Sequence, residues 1–428
     1  MRVYAAILSG IILTTCTNIE DAELSERATF MKVFNGIQGI EAAAAELTPD
    51  GFIVVGNMTI ARDSVITVVF KTDKRGNRIG NMHYYQGGSG NAIKAMPGNN
   101  GYLIVGEKIK TDPNATPTDN IDIVSARMLH ISNDLDSLRT IYLRDTSPNE
   151  VKVDYRATTL TVTPSDKIII LGSYQKSLND PIKPFIQQYN SSFTTLEWWD
   201  EGESFTRSYR NAKSVHFNNG KIIYSSAVAL EQQNFNNSWI SVNQIPQGST
   251  VSDVDLIGSA TEQSFLAADI QPGNSPAAGF GLIATRSNTD GSNANMFFAR
   301  VDIIGKVIPS SIKFYDTAIG ITSETGSQIQ DYGSAITATK NGGFVLAGHF
   351  QTSAALGIGN GGNDILLIHI DSNGNLIWKK EIGGTGSETV STIRETDDRG
   401  LLICGTNTVN GIPSIFLIKT DRNGDLKN

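Results

Sequence analysis

Cysteine is almost missing from this chain: its 428 residues hold two, Cys16 and Cys404. Cys404 sits inside the apolar segment Leu401-Leu402-Ile403-Cys404-Gly405, where a thiol reads as a small buried hydrophobe and not as a nucleophile. Histidine is nearly as scarce, with five copies. His130 and His369 occupy one position of an internal repeat that elsewhere holds Lys71, Gln188, Arg300 or Lys419, so the position is simply polar. His83, His216 and His349 fall in three different units, and no spacing places two histidines on one metal. No metal and no cofactor is expected. Charged residues are 18% of the chain and the net charge is -8. An acidic body of this kind gives no reason to expect nucleic-acid binding. No Gly-x-Ser-x-Gly elbow, no phosphate-binding Gly loop with Lys and no sialidase-type Asp box is present. Aromatics are 8% of the chain, which holds 13 Pro and 41 Gly residues, the balance of a turn-rich β protein and not of a disordered one.

Long apolar runs are also absent, apart from one at the start. Val3 to Leu13 follows Arg2 and spans about eleven residues, the length of a signal h-region and too short to cross a bilayer. It ends in Leu13-Thr14-Thr15-Cys16. This segment resembles a bacterial lipobox, which implies that Cys16 is lipidated and becomes the new N-terminus; Thr15 is a less usual residue before the Cys than Gly or Ala. The acidic stretch Thr17-Asn18-Ile19-Glu20-Asp21-Ala22-Glu23 is similar to the surface-export signal of Bacteroides-type outer-membrane lipoproteins. Residues 1–15 are read as a signal peptide and 16–27 as a lipidated tether. The expected address is the outer membrane, lipid-anchored, at the cell surface. With Cys16 acylated, no disulfide is available.

The body of the chain repeats one sentence. Gly342-Gly343-Phe344-Val345-Leu346-Ala347-Gly348 is followed by Asp364-Ile365-Leu366-Leu367-Ile368-His369-Ile370-Asp371-Ser372-Asn373-Gly374. Asp50-Gly51-Phe52-Ile53-Val54-Val55-Gly56 is followed by Val65-Ile66-Thr67-Val68-Val69-Phe70-Lys71-Thr72-Asp73-Lys74-Arg75-Gly76. The first segment of each is an apolar run bounded by turn residues, the signature of a strand buried on both faces. It recurs near residues 51–56, 101–106, 166–172, 220–226, 279–285, 343–348 and 400–405. The next strand closes on Asp or Asn and a Gly turn, the chemistry of a hairpin. Four strands per unit, repeated seven times, predict an all-β fold, a seven-bladed β-propeller over residues 28–428. The fourth unit is the most degenerate, so six or eight blades remain open. The last unit lacks a fourth strand. Phe30-Met31-Lys32-Val33-Phe34-Asn35-Gly36 parallels Trp378-Lys379-Lys380-Glu381-Ile382-Gly383-Gly384, so residues about 28–35 are expected to pair with the last unit and close the ring. The pattern resembles the Gly-rich propeller repeats of surface lipoproteins of the Bacteroides-type outer membrane.

For function the sequence is less direct. The Asp-x-Asn-Gly turns lack the ligand spacing of an EF-hand, and their counterparts lose the oxygens altogether. Acids cluster at Asp200, Glu201 and Glu203 and at Asp397 and Asp398, where solvated loops compete with a glycosidase pair. The stretch from Trp198 to Arg210 is the best recognition candidate. Trp198, Trp199 and Tyr209 offer aromatic faces to a sugar or an apolar side chain, and Arg207 and Arg210 offer forked donors. Its competing reading is that one Trp packs between blades and the rest is rim. The long loops 107–122, 143–155, 315–332 and 349–363 are expected to share one face with it, around the channel mouth.

These readings lead to a non-enzymatic, lipid-anchored surface propeller that binds a glycan or a protein partner. The resemblance implies an accessory subunit of an outer-membrane uptake or export complex. The alternatives are a glycan hydrolase or lyase with acids at the channel mouth, and a purely structural scaffold.

Overall fold

The computed structural model describes residues 29–426, except 37, 62–63, 112–121, 144–153, 177–179, 202–207, 211, 219, 230–237, 247–252, 258–262, 267–268, 276–277 and 323–327. The described residues form seven antiparallel sheets, one per repeat unit. The fold is a β-propeller. In the first blade the strands Glu41–Thr48, Gly51–Ala61, Ser64–Asp73 and Arg78–Tyr85 follow one another from the inside outward. The seventh blade consists of Ser387–Glu395, Leu401–Val409 and Ile412–Thr420, and its outer strand is Phe30–Phe34. Phe30 pairs with Lys419 and Phe34 with Ile415, so the expected closure by the N-terminal strand is present. It covers an edge that would otherwise be left unpaired. Phe34 also packs on Phe70 of the first blade, with ring centroids 4.7 Å apart.

The core is not one cluster but a layer between each pair of blades. Second strands are apolar throughout because both faces are covered, and successive residues point to opposite neighbours. In the first blade Val54 packs toward the seventh, while Ile53 and Val55 pack toward the second. Cys404 is fully buried in the layer between the seventh and first blades, and burial pushes its thiol up to about 12.

The two glycines of the repeated sentence have separate steric reasons. Gly343 opens the second strand at φ +84°, and a Cβ there would lie 2.1 Å from the Ile370 carbonyl oxygen of the third strand. Gly348 closes the apolar run, and a Cβ there would lie 1.8 Å from the Tyr332 carbonyl oxygen of the inner strand. The second contact arises from a β-bulge. The inner strand slips register between Gly333 and Ala335, opposite Gly348. The same slip lies between Ala42 and Ala44, Ala157 and Thr159, and Val390 and Thr392. It leaves Ala43, Thr158, Ser334 and Ser391 as the extra residues.

The fourth and fifth units carry this irregularity further. The inner strand of the fourth blade is split into Ser208–Arg210 and Val215–Asn218, both paired with Lys221–Ala229. That of the fifth is split into Gln263–Leu266 and Ile270–Pro272, both paired with Phe280–Asn288. The split explains why the fourth unit reads as the most degenerate.

The Asp-x-x-Gly segments are turns. The Asp371 carboxylate accepts the backbone N–H groups of Asn373 and Asn375 at 2.8 and 2.9 Å, and the Asn375 amide at 2.9 Å. Asp73 is held in the same way by Arg75 and Asn77. Slight burial works against ionisation of Asp371, but these hydrogen bonds outweigh it and lower its pKa. One expected loop is largely strand. The stretch 349–363 extends the hairpin Phe344–Ser353 and Ile358–Ile370, so little more than its tip lies outside the sheet. The reason is that Phe350 and Asp364 still pair across it.

Candidate functional site

The inner strands face a channel along the propeller axis. Register places one residue of each blade at the same level: Glu46, Lys94, Thr161, His216, Gln271, Thr337 and Arg394. All but Thr337 line a cavity of about 520 Å³. Above this level stand the small residues Ala42, Ala43, Ala44, Ala92 and Ser391, which keep the channel open.

Three blades meet in one ion cluster. Glu46 Oε1 accepts from Lys94 Nζ at 2.6 Å and from Arg394 at 2.8 Å. The side chains are 19%, 36% and 26% exposed, so these ions line a wetted wall and are not sealed in the core. Burial alone would raise the Glu46 pKa, but the attraction of Arg394 and Lys94 overrides it and holds the carboxyl down at about 2. Burial is the largest single influence on Arg394 and lowers its pKa, but Glu46 and Asp269 together raise it above the usual value.

On the opposite wall the breaks in the fourth and fifth blades place Lys213, Ser214, His216 and Asp269. Lys213 Nζ crosses to the Ser334 carbonyl of the sixth blade at 2.6 Å. Ser214 Oγ donates to the Ile270 carbonyl at 2.7 Å, and His216 Nε2 lies 2.6 Å from the same oxygen. Asp269 accepts the Ile336 N–H at 3.2 Å. Burial is the main cause that moves the His216 pKa down to about 4; Asp269 opposes it, and Lys94 and Arg394 add to it. His216 is therefore neutral at pH 7.

The residues singled out in the sequence do not assemble at this cavity. Trp198 and Trp199 lie on Leu196–Glu201, the outermost strand of the third blade, and not at the channel mouth. Adjacent residues of a strand face opposite ways. Trp198 packs in the layer between the third and fourth blades, while Trp199 is 40% exposed. Tyr209 and Arg210 lie on the short strand Ser208–Arg210 of the fourth blade, on the inner side of its sheet. Arg207 and Glu203 lie outside the described residues, as do Cys16 and the rest of residues 1–28. The loop residues 112–121, 144–153 and 323–327 lie outside them too.

The acids are likewise spread out. Glu201 accepts the Tyr155 hydroxyl at 2.6 Å. Asp398 pairs with Lys419 and bonds Thr396 at 2.5 Å. Asp397 is fully exposed, 3.5 Å from Lys340. Of the histidines, His130 bonds the Asn100 carbonyl at 2.7 Å, His369 packs edge-on against Trp378 and His349 stacks on Tyr332. Only His216 lines the cavity. The channel set of Glu46, Lys94, Lys213, Asp269 and Arg394 was missed because it shares no motif. Its one signal in the sequence is a charged residue at the same place in three successive inner strands, Glu46, Lys94 and Arg394; Lys213 and Asp269, at the breaks, carry none.

Comparison with known proteins names no family for the chain. No protein-family model matches the chain, and no curated protein matches it. Solved structures that it resembles include the β-propeller domain of the trilobed protease from Pyrococcus furiosus, at 8% identity and TM-score 0.46 over 90% of this chain and 99% of that one. They also include Trypanosoma rangeli sialidase bound to 2,3-difluorosialic acid, at 11% identity and TM-score 0.46 over 90% and 55%. A third is Penicillium chrysogenum α-L-arabinanase with arabinobiose, at 11% identity and TM-score 0.45 over 77% and 92%. The chain spans less than two thirds of some matched proteins, 59% of a Synechocystis ACO mutant among them. A propeller is compatible with a binding module or with a hydrolase.

Proposed function

We propose that the protein is a binding module: a lipid-anchored propeller at the outer-membrane surface that takes a ligand in its channel and serves as an accessory subunit of an uptake or export complex. The observation that carries the binding reading is the state of Glu46. A glycosidase needs a carboxylic acid that holds its proton near neutral pH and faces the scissile bond. Glu46 lines the channel but is ionised and clamped by Lys94 and Arg394. The carboxyls whose pKa is raised to about 7 and about 6, Asp331 and Glu388, do not line the cavity. A cavity of about 520 Å³ is within the usual range for small-ligand pockets.

Affinity purification of the full chain from detergent-solubilised outer membrane tests the complex. Co-purification of a β-barrel transporter is expected, and recovery of the chain alone would count against that part. Lipid anchoring has its own test: Cys16→Ala should move the protein from the membrane to the soluble fraction. An unchanged membrane fraction would remove the anchor from the proposal.

A further inference from the structure

We infer that the channel is a site for a small ligand bearing one carboxylate, seated between Lys213 and Arg394. This rests on the binding reading above and narrows it to a ligand class. The first support is charge. Among the described residues the cavity is lined by three cations, Lys94, Lys213 and Arg394, against two carboxylates, Glu46 and Asp269. The chain as a whole carries -8, so a cationic surplus here runs against its average. A single excess positive charge matches one carboxylate. A phosphate, with close to two charges, would leave the site with a net negative charge.

The second support is that cations from different blades act on one volume. Burial lowers the Lys213 pKa, Asp269 opposes this, and Arg394 lowers it further. His216 feels both Lys94 and Arg394. An anion between Lys213 and Arg394 relieves that repulsion.

The third support is donors. Among the described residues, the polar partner of Lys213 is the Ser334 carbonyl. Arg394 spends one N–H on the Ile393 carbonyl and one on Glu46, which leaves most of its guanidinium fork unused. The His216 Nε2–H points to the Ile270 carbonyl. That hydrogen bond assigns the tautomer and leaves Nδ1 as an acceptor for a ligand hydroxyl. Among the described residues no Phe, Tyr or Trp lines the cavity, so a neutral sugar ring lacks a broad stacking face there.

The fold explains why a lysine reaches this point. In regular blades the extra residue of the bulge is small: Ala43, Thr158, Ser334 and Ser391. The fourth blade breaks at this place, and Lys213 stands there, aimed across the channel at Ser334.

The test uses the full chain in detergent with glucuronate, lactate and glucose as probes, read by calorimetry and by saturation-transfer NMR. Both carboxylates should bind, with glucose at least about tenfold weaker. Lys213→Met should weaken both carboxylates by about tenfold. Glu46→Gln, checked for folding by circular dichroism, should tighten them by about threefold, because it removes a competing charge. Glucuronate above lactate identifies an acidic sugar, and equal affinities identify a small organic acid. Glucose binding as tightly as glucuronate, or Lys213→Met leaving both affinities unchanged, overturns the carboxylate assignment while the channel remains a binding site. Failure of both carboxylates to bind also overturns it; co-purification of a transporter would still uphold the binding module.

Discussion

Glu46 and Asp331 are both carboxyls on inner strands, and their proton affinities have moved in opposite directions. Glu46, on the channel wall, is held at about 2. Asp331, fully buried at the start of the sixth blade, is raised to about 7. Burial pushes both upward. Glu46 has two cations on one oxygen, supplied by the blades on either side. Asp331 has hydrogen bonds from Thr317, with the N–H at 2.9 Å, and a second carboxylate, Asp316, that adds to its cost; Lys379 offsets only part of it. Charge is therefore kept at Glu46 on the channel wall and suppressed at Asp331. That difference is why the ligand site is sought in the channel.

The largest effect expected from breaking this contrast is at Asp331. A carboxyl with a raised folded pKa favours the folded state fully below its unfolded pKa of about 3.9, and this support is lost as pH rises through about 7. Asp331→Asn keeps an acceptor for the Thr317 N–H and removes the titration. The variant should match the parent at pH 4 and exceed it by up to about 4 kcal/mol at pH 8. Urea denaturation at the two pH values measures this, and a constant difference would mean that Asp331 is not the titrating group.

Glu46→Gln should do the reverse, by a smaller amount. It leaves Lys94 and Arg394 without their shared partner on a wetted wall, a loss of about 2 kcal/mol at pH 7 after allowing for screening. Stability linked to a lowered carboxyl pKa is present above about 4.5 and lost as pH falls toward 2. The gap between variant and parent should therefore close on acidification, and a gap that widens would exclude the ion cluster as its source.

Two adjacent tryptophans carry the comparison to the rim. Trp198→Ala should cost about 2 kcal/mol, because it opens the layer between the third and fourth blades. Trp199→Ala should cost about 0.5 kcal/mol or less. Equal losses in thermal denaturation would place both in the interface. The smallest effect expected is at Cys404: iodoacetamide should leave the native protein unmodified and label it once denatured, since the buried thiol is pushed up to about 12.

The repeated sentence was legible because every unit must solve the same local problem. A second strand between two neighbours must be apolar on both faces, as Ile53, Val54 and Val55 are. A third strand must turn sharply, as Asp371 and Gly374 do. The missing outer strand of the last unit and the spare strand near the start were legible for the same reason, since each is half of one sheet. The hairpin 349–363 was misread because its glycine-rich end, Gly359-Asn360-Gly361-Gly362, has loop composition but sits in a strand held by Thr352 and Asp364.

The channel was not legible, for a geometric reason. Glu46 and Arg394 are 348 positions apart in the chain and 2.8 Å apart in space. No local pattern marks either one, because each inner strand contributes a single residue to the layer they share. The sequence by itself determined the blade: its strand order, its turns, its glycines and its closing strand, all set by contacts within one sheet or across one hairpin. The tertiary structure alone decided which residues face the axis, and which charges from distant blades meet there and fix one another's protonation.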